Sequence, residues 1–124
     1  VTGHFHELGP EGAPWPLWIR KQRGRCGVYA IKERGRIVYV GSSRKRLYDT
    51  ITRHFQRWHR AKKFWKGLRG AGHDPGMTYD RSICSVAIVT CACGDERTLE
   101  AHWIAKYSPR DNLTEHPDGE AAPF

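Results

Sequence analysis

Gly27-Val28-Tyr29-Ala30-Ile31-Lys32-Glu33-Arg34-Gly35-Arg36-Ile37-Val38-Tyr39-Val40-Gly41 is the stretch that decides the fold. Val28-Tyr29-Ala30-Ile31 and Ile37-Val38-Tyr39-Val40 are short β-branched and aromatic runs, the composition of strands. The five residues between them end in Gly35-Arg36, and a three-residue loop Glu33-Arg34-Gly35 places Gly35 in the left-handed position of a bulged type I turn. Glycine takes that position without steric cost. In this register Lys32 faces Arg36, and Tyr29 stands directly opposite Tyr39 on one face of the hairpin.

Downstream of the hairpin, Ser42-Ser43 is a candidate helix N-cap. Leu47, Ile51, Phe55 and Trp58 follow at helical spacing as one apolar stripe, and the helix is expected to run through Lys66 and to stop by Gly67 or Gly70. Residues 70–80 read as a loop. Ile83 to Thr90 is a third, mostly apolar strand, central in a small sheet. Gly94-Asp95 is expected to cap a last helix that runs to about Tyr107 and is stopped by Pro109. The expected architecture is a small α/β (α+β) domain, a three-stranded antiparallel sheet flanked by helices. It spans residues 26–112, after a Pro/Gly/Trp-rich arm (1–25) that packs on it through Trp15, Leu17, Trp18 and Ile19 and before a polar tail (113–124).

At 124 residues, with 39% hydrophobic and 27% charged residues, the chain has material for one core. No apolar run is long enough to span a membrane, and the start shows no secretory signal. The chain opens on Val1 rather than Met, which leaves room for upstream sequence. A cytoplasmic location is expected, in a prokaryote, phage or mobile element. Net charge is +8, and 17 of the 21 Lys and Arg residues fall within 20–70 beside just two acids, Glu33 and Asp49. Tyr39, Tyr48, Trp58, Phe64 and Trp65 are interleaved with these cations, a pattern that points to a polyanion partner. Of the four cysteines, Cys84 reads as a small core residue. Cys91-Ala92-Cys93 lacks zinc-finger spacing, and neither zinc nor a disulfide is expected.

The last helix carries an anomaly. Leu99, Trp103, Ile104 and Tyr107 form its inward stripe, and Glu100 falls within it. A carboxylate so placed needs a cation or a hydrogen-bond partner. An arginine of the basic block would serve, just as Tyr29 and Tyr39 taken alone make an ordinary cross-strand aromatic pair.

Taken together these residues carry more. Gly27-Val28-Tyr29, nine intervening residues, then Tyr39-Val40-Gly41 resembles the signature of the GIY-YIG nuclease family. Leu47 and Arg53-His54-Phe55 look like that family's following helix. Glu100 through Pro109 to Asn112 is similar to its C-terminal pattern, a helix that begins with a catalytic Glu and ends in Pro and Asn. The likeness covers roughly residues 26–112. It implies a metal-dependent DNA endonuclease that leaves a 5′-phosphate, with Tyr29 as general base for water, Tyr39 orienting water or phosphate, and His54 assisting. Glu100 would hold one Mg²⁺ or Mn²⁺, and Gly41 and Asn112 would brace the site. His59, His73 and His102 have no matching role and read as surface residues.

One position departs from the family. Its catalytic Arg stands four residues before the position of His54, and here that residue is Thr50. Arg46 and Arg53 project near the same helical side, Arg46 being the better aligned substitute. Double-stranded DNA is the implied partner, gripped by Arg44, Lys45, Arg53, Arg57, Arg60, Lys62 and Lys63, with sequence specificity supplied by a further domain or partner. The geometry expected is one concave basic surface on which Tyr29, Tyr39, His54 and Glu100 converge. The competing reading is a binding module on the same fold, weakened or inactive in cleavage because of Thr50.

Overall fold

Arg34 and Gly35 both have positive φ (49° and 83°), so the hairpin turns on two residues rather than three. This is the pattern of a primed turn, whose twist matches that of the flanking strands. The turn joins β2 (Gly27–Glu33) to β3 (Arg36–Ser43) in the computed structural model, which describes residues 4–56 and 79–115. The bulge expected at the turn lies further up the hairpin. Ile31 pairs with Tyr39 but Lys32 with Ile37, so Val38 is the extra residue. Tyr29 therefore faces Gly41, not Tyr39. Ile31, directly opposite Tyr39, lies two residues from Tyr29, so the tyrosines keep the expected common face as diagonal neighbours.

The sheet has four strands, not three, in the order β1 (His6–Glu7), β4 (Cys84–Thr90), β2, β3. β4 pairs antiparallel with β2 along its whole length and is central, as the sequence suggests. The added strand is β1, two residues of the N-terminal arm laid against Ser85 and Val86. A two-residue strand carries no alternation that a sequence pattern could reveal. In the rest of the arm Ile19 is buried in the short helix α1 (Leu17–Arg20), and Trp15 and Trp18 lie against the core. Leu17 is the exception, 57% exposed.

Each face of the sheet has its own core. One gathers Tyr29, Ile31, Val38, Tyr39 and Val86 under α2 (Leu47–Arg53), with Leu47, Ile51 and Phe55 from the predicted stripe. The other gathers Val28, Ala30 and Val40 under α3 (Glu96–Tyr107), with Trp103, Leu99, Ile104 and Tyr107. The bulge at Val38 makes this sorting possible, since it turns Val38 and Tyr39 to the first face while Ile37 and Val40 stay on the second. Ser42 and Ser43 belong to β3 and cap no helix; α2 opens at Leu47 with Arg46 before it and no side-chain cap. Asp95 precedes α3 without a side-chain cap, the Glu96 carboxylate taking the Gly94 N–H at 2.7 Å instead, and α3 ends at Tyr107, where Ser108 turns left-handed (φ 43°) and its N–H bonds to the Ile104 carbonyl at 2.8 Å. After Pro109 a short helix, α4 (Arg110–Glu115), lies along β3. The helix expected to reach Lys66 instead ends at Arg53, where the backbone tightens into i→i−3 turns through Gln56; Trp58, Phe64 and Trp65 lie outside the described residues.

Cys26 and Cys93 form a disulfide across a sequence separation of 67, contrary to the expectation from the sequence. The reason is register. Gly27 pairs with Thr90, which brings Cys26 beside Cys91, and the Cys91 N–H bonds to the Cys26 carbonyl at 3.0 Å. Beyond that point the chain turns and carries Cys93 to Cys26. Neither the β2–β4 pairing nor this turn is visible in the CxC spacing. Cys84 is buried as expected, and burial, aided by Glu33 and Asp80, pushes its thiol up to about 12.

Candidate active site

Gly41 shows how the hairpin builds the site. It faces Tyr29 across the strands, and a Cβ placed on it would lie 2.5 Å from the Tyr29 hydroxyl oxygen and 2.9 Å from Cε2 of Tyr39. Only a residue without a side chain lets the Tyr29 ring cross β3 at this point. Having crossed, the ring meets His54 at the end of α2: Tyr29 Oη and His54 Nε2 are 2.7 Å apart and hydrogen-bonded. The Tyr39 ring lies 4.7 Å from the imidazole and 6.2 Å from the Tyr29 ring, centroid to centroid. Tyr29, Tyr39 and His54 thus come together as the sequence suggests. They are enclosed rather than spread on an open surface, at 1%, 4% and 5% exposure.

Glu100 arrives from the other side. Its helix, α3, covers the sheet face opposite the tyrosines, so the expectation that all four groups share one face is not met. The carboxylate is half-buried, and its Oε1 accepts a hydrogen bond from Ser42 Oγ at 2.7 Å. Ser42 adjoins Gly41, so the Tyr29 hydroxyl and Glu100 meet β3 at consecutive residues from opposite faces. The next residue, Ser43, accepts a bond from Thr50 Oγ1 at 2.9 Å. Spacing along a helix gives the inward stripe but not which sheet face that stripe covers, and here the missing information is tertiary.

The cations near this strand end are partly committed. Arg44 Nε bonds to Glu96 Oε2 at 3.2 Å, and Arg46 Nε lies 3.6 Å from Asp49 Oδ2. The Gly94 N–H above all, then Glu96's own N–H and Arg44, hold the Glu96 carboxyl below its ordinary range. Lys45 is exposed with left-handed backbone (φ 63°), and Arg53 is half-buried on α2. Arg57, Arg60, Lys62 and Lys63 lie outside the described residues, as do His59 and His73; His102 is exposed, as expected.

Asn112 closes the free edge of β3. Its Oδ1 accepts from the Val40 N–H at 2.7 Å and its Nδ2 donates to the Val40 carbonyl at 2.8 Å, standing in for a neighbouring strand between Tyr39 and Gly41. Two residues of this cluster carry no signal in the sequence pattern. Tyr79 lies at the end of the predicted loop, and its N–H bonds to the His54 carbonyl at 2.9 Å. Its hydroxyl donates to the buried carboxylate of Asp111, which also receives Arg110 Nε at 2.7 Å. The sole hint was that Asp111 sits beside Asn112.

Among the described residues no group of three His, Cys, Asp or Glu side chains is placed to hold a metal. A cation at Glu100 would therefore complete its shell with water and phosphate oxygens. A single partly solvated carboxylate, steadied by a serine hydroxyl, fits that coordination. No helix among the described residues is long and apolar enough to cross a membrane.

Neither a family model nor a curated protein matches this chain. In structure the chain is similar to the GIY-YIG N-terminal endonuclease domain of UvrC from Thermotoga maritima bound to its catalytic divalent cation, magnesium, at 24% identity over 78% of this chain and 98% of that one, with a TM-score of 0.47. Two point mutants of that domain, each bound to the catalytic divalent cation, are 22% identical with TM-scores of 0.47 and 0.42, over 78% and 77% of this chain and 97% and 96% of theirs.

Proposed function

We propose that this chain is a metal-dependent DNA endonuclease whose turnover is weakened by Thr50. The observation that carries the reading is the 2.7 Å bond between Tyr29 Oη and His54 Nε2, one residue along β3 from the serine that holds Glu100. Phosphodiester hydrolysis needs a nucleophilic water, stabilisation of charge on the phosphate, and a proton for the leaving oxygen. A phenol, with a reference pKa of about 10, is a poor base at neutral pH. A neutral imidazole accepting its proton makes the Tyr29 oxygen more basic as the water is deprotonated. Tyr39 packs against that imidazole with its ring tilted at 52° and helps to hold it in place. A divalent cation on Glu100 supplies charge neutralisation and leaving-group assistance when bound. Arg44, Lys45 and Arg53, with Arg57, Arg60, Lys62 and Lys63, are the proposed phosphate contacts, which position the duplex without reading its sequence.

A second reading, a nucleic-acid-binding module without turnover, is favoured by one feature. Thr50 turns its hydroxyl to Ser43 and brings no charge to the strand end. The experiment is nicking of supercoiled plasmid with Mg²⁺ or Mn²⁺ at high protein concentration. Slow nicking that Tyr29→Phe and Glu100→Gln both abolish is the expected result. DNA binding with no nicking, unchanged by either substitution, supports the second reading.

A further inference from the structure

The Tyr29–His54 pair depends on groups outside the matched motifs. His54 stands at the C-terminal end of α2, a helix of seven residues, and helix ends fray unless something outside holds them. Tyr79 provides that hold twice, through its backbone N–H on the His54 carbonyl and through its ring, 6.1 Å from the imidazole on centroids. The Tyr79 ring is fixed in turn by Asp111. That carboxylate is 1% exposed, a costly place for a charge unless its oxygens are satisfied. They are: Tyr79 Oη donates to Oδ2, Arg110 Nε to Oδ1 at 2.7 Å and Arg110 Nη2 to Oδ2 at 2.9 Å. Arg110 also reaches Glu33 at the end of β2, at 3.6 Å. The contacts therefore run from Glu33 through Arg110, Asp111, Tyr79 and His54 back to Tyr29 on the same strand.

We propose that Tyr79 and Asp111 are positioning residues that hold the His54 imidazole with Nε2 toward the Tyr29 hydroxyl. Neither needs to touch a substrate. This rests on the proposed endonuclease reading for its catalytic consequence but not for its structural one, and the test separates the two. In full-length protein labelled with ¹⁵N-histidine, the His54 ring nitrogens are followed without DNA, and kcat and KM for nicking are measured alongside. Wild-type His54 is expected in a single tautomer. Tyr79→Phe, which keeps the ring and removes one oxygen, should give a mixture of tautomers, as should Asp111→Ala. Asp111→Asn, which keeps an acceptor for Tyr79, should restore the single form. Where nicking is measurable, kcat should fall tenfold or more at unchanged KM, since misplacement of about 1 Å costs on the order of a hundredfold in rate. If Asp111→Ala fails to fold, Tyr79→Phe decides. Folded Tyr79→Phe with the wild-type single tautomer overturns the proposal. A disturbed tautomer in a protein that never nicks DNA upholds the positioning and overturns the endonuclease reading instead.

Discussion

The two faces of the sheet are built from alternate residues of the same hairpin, yet they differ in kind. Val28, Ala30 and Val40 meet α3 through aliphatic surface and Trp103, with Glu100 and its bond to Ser42 at the end of that face. On the other face Tyr29, Tyr39, His54 and Tyr79 bury hydroxyls and an imidazole that packing does not require. Buried polar groups cost stability unless satisfied, and networks of them fix geometry more than they add stability. The α3 face is a small aliphatic layer around Trp103, whereas the α2 face sets its polar constellation into the larger core of Leu8, Ile19, Ile31, Leu47, Ile51 and Val86. Glu100 is the point of exchange, a carboxylate on the packing helix delivered to the strand end where the polar face terminates.

This contrast can be broken from either side. Trp103→Ala on the packing face should cost about 3–5 kcal/mol in urea unfolding, because it empties a nearly buried aromatic site, while leaving the folded protein's Tyr29–His54 bond intact. Gly41→Ala on the polar face should cost less, about 1–3 kcal/mol, because the new methyl must displace ring atoms rather than leave a void. It should nonetheless separate Tyr29 from His54 and abolish any nicking. Equal effects of the two substitutions on the His54 nitrogen signals would remove the distinction between the faces.

Much of this was legible in the sequence, and where reading failed the reason is specific. The hairpin, the stripe on α2 and the inward row on α3 follow from local periodicity, and each packs as that periodicity demands. The register did not follow. Two- and three-residue turns both accept Arg34-Gly35, and the register that sets Tyr29 against Gly41 comes from the two-residue turn together with the bulge at Val38, which no local pattern marks. The fourth strand, the Cys26–Cys93 bond and the sheet face under Glu100 depend on which strands neighbour one another, information that alternation and spacing do not hold. Tyr79 and Asp111 were hidden for the same reason: their partners lie 25 and 32 residues away, at His54 and Tyr79.

Thr50 decides the central claim, that a nuclease site here lacks only its phosphate-stabilising cation. Its hydroxyl is held by Ser43, adjacent to the serine that holds Glu100, so an arginine in its place would rise from the same turn of α2 toward the same strand end. Positioned cations of this kind are worth on the order of 10³ or more in phosphoryl transfer. The measurement is the single-turnover nicking rate of the Thr50 protein and of Thr50→Arg, side by side with Mg²⁺, with DNA affinity measured in parallel. A rate increase of about a thousandfold at nearly unchanged affinity is expected for Thr50→Arg. Equal rates, with either no nicking by both or efficient nicking by both, would contradict it.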